Sequence, residues 1–126
     1  MPTVSGHTRA IRAKQVLGTN VVDPSGRKIG QIEDVILDKQ SNSIMFAVVG
    51  FGGFLGMNEK YHPIPWASLD YDPDQGAYVV SFTKEQLQAA PSGSIDELTL
   101  DDGMQFRDRT YDYYKAPRYW ESIEPR

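Results

Sequence analysis

GRKIGQIEDVILDKQSNSIMFAVVGFGGFLGMNEKYHPIPW, residues 26–66, is the stretch whose reading decides the fold. It divides into three strand candidates, joined by a tight turn at 39–43 and a glycine-rich loop at 50–56. The first candidate, 28–39, does not alternate cleanly: Ile29 and Ile32 are out of phase, and Ile32 and Val35 are three apart. A bulge near Glu33 and Asp34 would put Ile32, Val35 and Leu37 on one face and bend the strand, as happens where a sheet curls toward closure. The second, 44–51 (IMFAVVGF), is apolar on both faces and is expected to be the most buried. The third runs over 59–72 and carries Pro63 and Pro65. Residues two apart point their N–H groups the same way, so both missing donors lie on one side, which marks an edge or a seam. Ile64 and Trp66 then share a face and enter the core, with Trp66 packed on Val48, Ile64 and Val79.

Outward from this stretch the same pattern continues. Residues 16–23 (VLGTNVVD) are a further strand with Gly18 as a bend, followed by the turn Asp23-Pro24-Ser25-Gly26. Proline pre-sets φ and glycine tolerates positive φ, so the turn has a mechanism. Asp72-Pro73-Asp74-Gln75-Gly76 repeats that chemistry ahead of the last strand, 77–82 (AYVVSF). Thr83 and Gln86 form a capping box for a short helix over 84–90, which stops before Pro91. Ser92-Gly93-Ser94 is a hinge, and Thr99-Leu100-Asp101-Asp102 resembles a second helix start. The fold class is therefore mainly β: a small antiparallel β-barrel or strongly coiled sheet, with a short helix and a partly helical aromatic C-terminal tail. Three segments follow: a flexible N-terminal segment at 1–13, the barrel domain at 14–91, and the tail at 92–126.

Composition narrows the chemistry. A chain of 126 residues can bury a core as one domain without staples. It has no cysteine, which excludes disulfide and thiolate chemistry and suits a reducing compartment. The first residues lack an apolar leader, and no apolar run is long enough to span a bilayer, so a cytoplasmic location is expected. Net charge is −4, and the local basic cluster is only Arg9, Arg12 and Lys14, which weighs against nucleic acid as a partner.

The order and spacing of several short pieces carry a family resemblance. Gly26-Arg27-Lys28-Ile29-Gly30-Gln31-Ile32-Glu33-Asp34-Val35, then Val49 with Gly52-Gly53-Phe54-Leu55-Gly56, then Ile64-Pro65-Trp66 with Leu69, resemble the PRC-barrel family. The resemblance covers about residues 14–91 and implies the barrel of the photosynthetic reaction centre H subunit and of a ribosome maturation factor. Tyr113-Tyr114 and Pro117-Arg118-Tyr119-Trp120 are similar to the tyrosine-rich ending of some stand-alone bacterial members. No membrane helix precedes the barrel, so the H subunit itself is not expected. There is no room for the maturation factor's N-terminal barrel, which weighs against ribosome assembly.

No residue set commits to a reaction, and no catalytic, cofactor or metal residues are assigned. The glycines at 50, 52, 53 and 56 do not spell a dinucleotide loop, and a proline-rich strand follows them where a helix N-terminus would be needed. Asp70, Asp72 and Asp74 start like a calcium loop, but Pro73 stands at position four and Ser81 at position twelve. His7 and His62 have no ligand spacing, and His62 is expected at the rim of its strand. What remains is a non-catalytic protein–protein interaction or assembly module that self-associates as a homodimer or docks on an unidentified protein. The alternatives are an RNA- or ribosome-associated factor, or an accessory protein of a photosynthetic or membrane complex. The expected interface residues are Phe54, Leu55, Phe106, Tyr111, Tyr114, Tyr119 and Trp120. If 100–115 is helical, Met104, Tyr111 and Tyr114 lie near one face and Phe106 and Tyr113 near another, so that one face needs a second surface. Folding of the tail back onto its own barrel is the competing expectation.

Overall fold

Two aspartates set the turns from which the sheet grows. Asp23 Oδ1 accepts the N–H groups of Ser25 at 2.9 Å and Arg27 at 3.0 Å and the Ser25 hydroxyl at 2.7 Å. Asp72 Oδ1 accepts the Asp74 N–H at 2.9 Å, and Gln75 Nε2 donates to Asp72 Oδ2 at 2.9 Å. These carboxylates satisfy turn donors that no strand can reach, which is why Asp opens such turns. The computed structural model describes residues 10–50 and 60–122. In it the turns connect β1 (Asn20–Val22), β2 (Lys28–Asp38), β3 (Ser43–Gly50), β4 (His62–Pro65), β5 (Asp70–Asp72) and β6 (Ala77–Val79). The helices are a single turn α1 (Ala13–Val16), α2 (Lys84–Ala89) and α3 (Met104–Tyr114). The expected flexibility of 1–13 falls mostly outside the described residues.

The strands form one sheet in the order β4-β3-β2-β1-β6-β5. The protein is mainly β, as expected, but the sheet is mixed: β1 and β6 run parallel, while the other neighbours are antiparallel. Hydrogen bonding does not close it among the described residues, and the all-antiparallel pairing expected is corrected to a mixed one in a curled sheet. The cause of the parallel pair is the route of the chain. It leaves β4 through a 3₁₀ turn, Trp66–Ser68, forms the β5–β6 hairpin, and brings β6 alongside β1. The outermost strands β4 and β5 are thus consecutive in sequence. Five Cα steps separate Pro65 from Asp70, so those strand ends lie within about 18 Å of each other.

Three bulges supply the curl. Ile32 pairs with Val49 and Asp34 with Val48, leaving Glu33 as the extra residue, where the sequence placed it. A second extra residue, Ile29, separates the Val21–Gly30 and Val22–Lys28 pairs, which explains why Ile29 and Ile32 are out of phase. The third is Met45, between the Ile36–Phe46 and Leu37–Ile44 pairs. Beyond it Leu37, expected inside, is 64% exposed.

Other expectations need correction. The strand expected over 16–23 begins only at Asn20: Val16 lies in α1, and Gly18, at φ +87°, donates its N–H to the Ile32 carbonyl at 2.6 Å. The strand expected over 59–72 is broken by the 3₁₀ turn into β4 and β5. Trp66 sits in that turn, half-buried, with its ring 5.9 Å from Tyr78, and Val48 belongs to the opposite face. The hinge at 92–94 is a bridge, since Gly93 and Tyr61 exchange backbone hydrogen bonds at 2.9 and 3.0 Å. The capping box forms as expected: Thr83 N–H donates to Gln86 Oε1 at 2.8 Å, and Gln86 N–H to Thr83 Oγ1 at 3.1 Å.

Two apolar clusters lie on opposite faces of the sheet. One gathers Ile29, Ile32, Val49 and Ile64 under Leu87 of α2. The other gathers Phe46 and Val48 under Leu98, Phe106, Tyr111 and Trp120 from the C-terminal segment. Both depend on β2 and β3 lying close at Gly30, where an added Cβ would meet Val49 Cγ1 at 2.6 Å and the Gly50 carbonyl oxygen at 2.9 Å. Gly30→Ala should therefore cost about 1–3 kcal/mol, as overpacking does. A urea midpoint equal to that of the wild type would show that the strands separate there without cost.

Candidate interaction surfaces

The C-terminal segment carries five of the seven expected interface residues, so its geometry comes first. After the Gly93 bridge the chain makes a 3₁₀ stretch, Glu97–Gly103, that is broken within. Asp101 (φ 53°), Asp102 (φ 56°) and Gly103 (φ 79°) are all left-handed, so no helix can pass through them. This corrects the helix expected over 100–115: α3 starts at Met104 and ends at the left-handed Lys115.

Helix α3 presents one inward arc. Phe106, Arg107, Thr110 and Tyr111 are buried, Tyr114 is half-buried, and Met104 and Tyr113 are exposed. The two-faced helix expected from spacing is thus replaced by a single broad inner face. It touches both clusters, with Phe106 and Tyr111 in one and Tyr114 packed on the other, its ring 4.7 Å from Phe82. The tail folds back in cis.

Hydrogen bonds hold it there. A bulged residue is left out of the ladder, and the Met45 carbonyl accepts the Tyr111 hydroxyl at 2.8 Å. Burial, outweighing the nearby Arg107, pushes that phenol up to about 12. Tyr119 donates to Asp38 Oδ2 at 2.6 Å, while Asp38 Oδ1 accepts the Gln40 N–H at 3.0 Å. Tyr113 donates to the Gln86 carbonyl at 2.6 Å, tying α3 to α2. The Trp120 ring lies edge-on to Tyr111 at 4.8 Å, and the Arg107 guanidinium carbon is 4.0 Å from its centroid. A buried arginine needs such a face, because its ion pair with Asp108, at 3.3 Å, is half in water.

The structure therefore places Phe106, Tyr111 and Trp120 inside the chain's own fold and leaves Tyr114 and Tyr119 half-buried. Phe54 and Leu55 lie outside the described residues, as does His7. His62 is buried rather than at the rim, and burial, then Lys60, holds its pKa below the usual value. Among the described residues no group of His, Cys, Asp and Glu is placed to hold a metal ion, and no helix is long and apolar enough to cross a membrane. Reasoning from spacing missed the exposed pair Leu100 and Met104, at 51% and 44%, and the half-exposed Tyr71 stacked at 5.2 Å on Tyr78. The signal for the first pair was present in Asp101-Asp102-Gly103, three residues that favour turns.

Known proteins match in part. A family model for the PRC-barrel domain matches residues 9–87. Over 72 residues the chain is 28% identical to a Deinococcus radiodurans protein described as uncharacterized, covering 57% of this chain and 25% of that protein. The crystal structure of RimM from Pseudomonas aeruginosa, a candidate 16S ribosomal RNA processing protein, is similar at a TM-score of 0.40 and 15% identity. That match covers 62% of this chain and 47% of RimM. The chain thus spans about a quarter of the curated relative and under half of the solved one.

Two outcomes test the clasp. Burial by itself would raise the Asp38 carboxyl, but the hydrogen bonds from Tyr119, Gln40 and Ser41 together outweigh it and leave it below its ordinary value. A carboxyl lowered on folding adds stability that is complete above its unfolded value near ~4 and is lost as pH falls through the folded one. Tyr119→Phe should cost about 1 kcal/mol at neutral pH and flatten the acid limb below about pH 4 in urea titrations. An acid limb superimposable on the wild type would remove this bond from the account. Thr110 is fully buried and its hydroxyl has no hydrogen-bond partner among the described residues, so Thr110→Val should raise stability by about 1 kcal/mol. A loss of stability would show that the hydroxyl is satisfied.

Proposed function

The chain belongs to the PRC-barrel family, and on that premise we propose that it is a non-catalytic module for protein–protein contact and assembly. One observation carries this reading: the turn Leu100-Asp101-Asp102-Gly103-Met104. Asp101 and Asp102 sit in the left-handed region, which costs a non-glycine residue on the order of 1 kcal/mol each. On either side of that strain Leu100 and Met104 stand half in water. Burying a large apolar side chain gains roughly 1.5–3 kcal/mol, so a partner covering both has a useful driving force. The turn is held from beneath, because a Cβ on Gly103 would lie 2.8 Å from Met45 Sδ. An apolar pair on a fixed support suits docking, since little order is lost on binding.

Three of the tail's tyrosine hydroxyls support the non-catalytic part of the reading, while that of Tyr114 is buried with no hydrogen-bond partner among the described residues. Those of Tyr111, Tyr113 and Tyr119 are all committed to bonds that hold the fold together. The partner proposed is a second copy of the chain, two-fold homodimers being the commonest assemblies. A role on ribosomal RNA is the alternative, and net charge −4 gives it little electrostatic support.

Sedimentation of wild type and of Leu100→Ser with Met104→Ser tests the proposal. Both positions are exposed, so the variant should keep its melting temperature within a few degrees. The wild type should sediment as a dimer at micromolar concentration and the variant as a monomer. A monomeric wild type, or a variant that stays dimeric, would remove the turn from the contact.

A further inference from the structure

The C-terminal segment carries a helix start that is cut off after one turn. The Ser94 N–H donates to Glu97 Oε1 at 2.8 Å, and the Glu97 N–H donates to Ser94 Oγ at 3.3 Å. These are the two reciprocal bonds of a capping box, and Asp96 already has helical angles. The break follows at once. Leu100 is extended, and Asp101 (φ 53°, ψ 44°) and Asp102 (φ 56°, ψ 29°) precede the left-handed Gly103. Glycine takes such angles freely, whereas they strain a residue with a Cβ. The right-handed helix α3 then starts at Met104.

Straightening the turn joins the two pieces into one helix over 95–114 and relieves both aspartates. Asp and Gly are poor helix formers, which keeps the closed turn competitive. The joined helix cannot stay on its own sheet. A helix rises ~1.5 Å per residue, so Leu98 and Tyr111 come to stand about 20 Å apart along its axis. In the closed chain both belong to one apolar cluster with Met45 and Phe46, and the Tyr111 ring lies 6.4 Å from that of Phe46. Leu98 closely follows the Gly93–Tyr61 bridge and stays with its sheet, so α3 is the part that leaves. Phe46 and Val48 then lose their cover.

We infer that Asp101-Asp102-Gly103 is an exchange hinge, through which α3 and the residues after it pass to a second copy of the chain. That copy offers the same bare face and donates the same helix in return. Each copy regains the Tyr111 hydroxyl on the Met45 carbonyl, the Tyr113 hydroxyl on the Gln86 carbonyl and the Tyr119 hydroxyl on Asp38. Contacts beyond the turn are thus conserved, and the balance between closed and exchanged forms rests on the turn and on chain concentration. The exchange does not rest on the contact proposed at Leu100 and Met104, which forms with the turn closed.

The test refolds the full chain from urea at millimolar concentration, as an equal mixture of ¹³C-labelled and unlabelled protein, and reads isotope-filtered NOEs. In the exchanged form the Phe46–Tyr111 contact runs between chains and gives a filtered signal. In a dimer held only at Leu100 and Met104 it stays within each chain and gives none, so the two readings fail separately. The wild type should show the signal. Asp101→Gly with Asp102→Gly, which suits the closed angles, should weaken it roughly tenfold, and Asp101→Ala with Asp102→Ala should strengthen it by a similar factor. The glycine variant keeps the native turn, so the comparison with wild type decides even where the alanine variant does not refold. A wild type without the interchain signal, or a glycine variant in which it is as strong as in the wild type, would overturn the inference.

Discussion

A strand buried on both faces is the constraint to which the rest of this structure responds. Phe46, Ala47, Val48 and Val49 of β3 are inaccessible to water, and alternation sends them to opposite sides of the sheet. An antiparallel sheet more often leaves one face wet, so this one needs two covers. On the Val49 side the sheet covers itself: three bulges curl it, α2 adds Leu87, and the short link from β4 to β5 draws its ends together. On the Phe46 side curling cannot help, and a separate element must be laid on. The C-terminal segment is that element.

That assignment explains why the tail is rich in tyrosine and tryptophan rather than leucine. Its inner surface meets carbonyls and a carboxylate as well as Phe46 and Val48. Met45, displaced by its bulge, presents a carbonyl, and Asp38 ends its strand as a buried acceptor. A phenol covers apolar surface with its ring and satisfies the acceptor at its tip. Each such bond contributes about 1 kcal/mol net, but leaving the acceptor bare would cost more. The bulge, the buried aspartate and the two tyrosines form one arrangement and not four independent features.

How much of this was legible in the sequence follows from how local each cause is. The Asp23 and Asp72 turns, the Thr83–Gln86 box and the Glu33 bulge act within a few residues and could be read directly. The proline edge was legible too, because a missing donor has the same meaning in any sheet. Leu37 was misread because its exposure depends on Met45, an extra residue on the neighbouring strand. The parallel β1–β6 pair depends on the 3₁₀ turn at Trp66, where 59–72 read as one continuous strand. The tail was misread most informatively. Helical spacing sorted its aromatics into two stripes, but spacing does not show that one inner face, with Phe106, Tyr111 and Tyr114, meets both apolar clusters.

That last point changes where an interaction surface should be sought. Large aromatic side chains in a tail suggest a contact with another molecule only while no surface of the same chain is known to receive them. Here the receiving surface exists, and Phe106, Tyr111 and Trp120 fill it. Their burial stabilises the fold of the single chain. The fold keeps Leu100 and Met104 in water on either side of a strained turn. Such a turn offers apolar area on a fixed support, the kind of surface that the aromatic tail, once folded back, no longer presents.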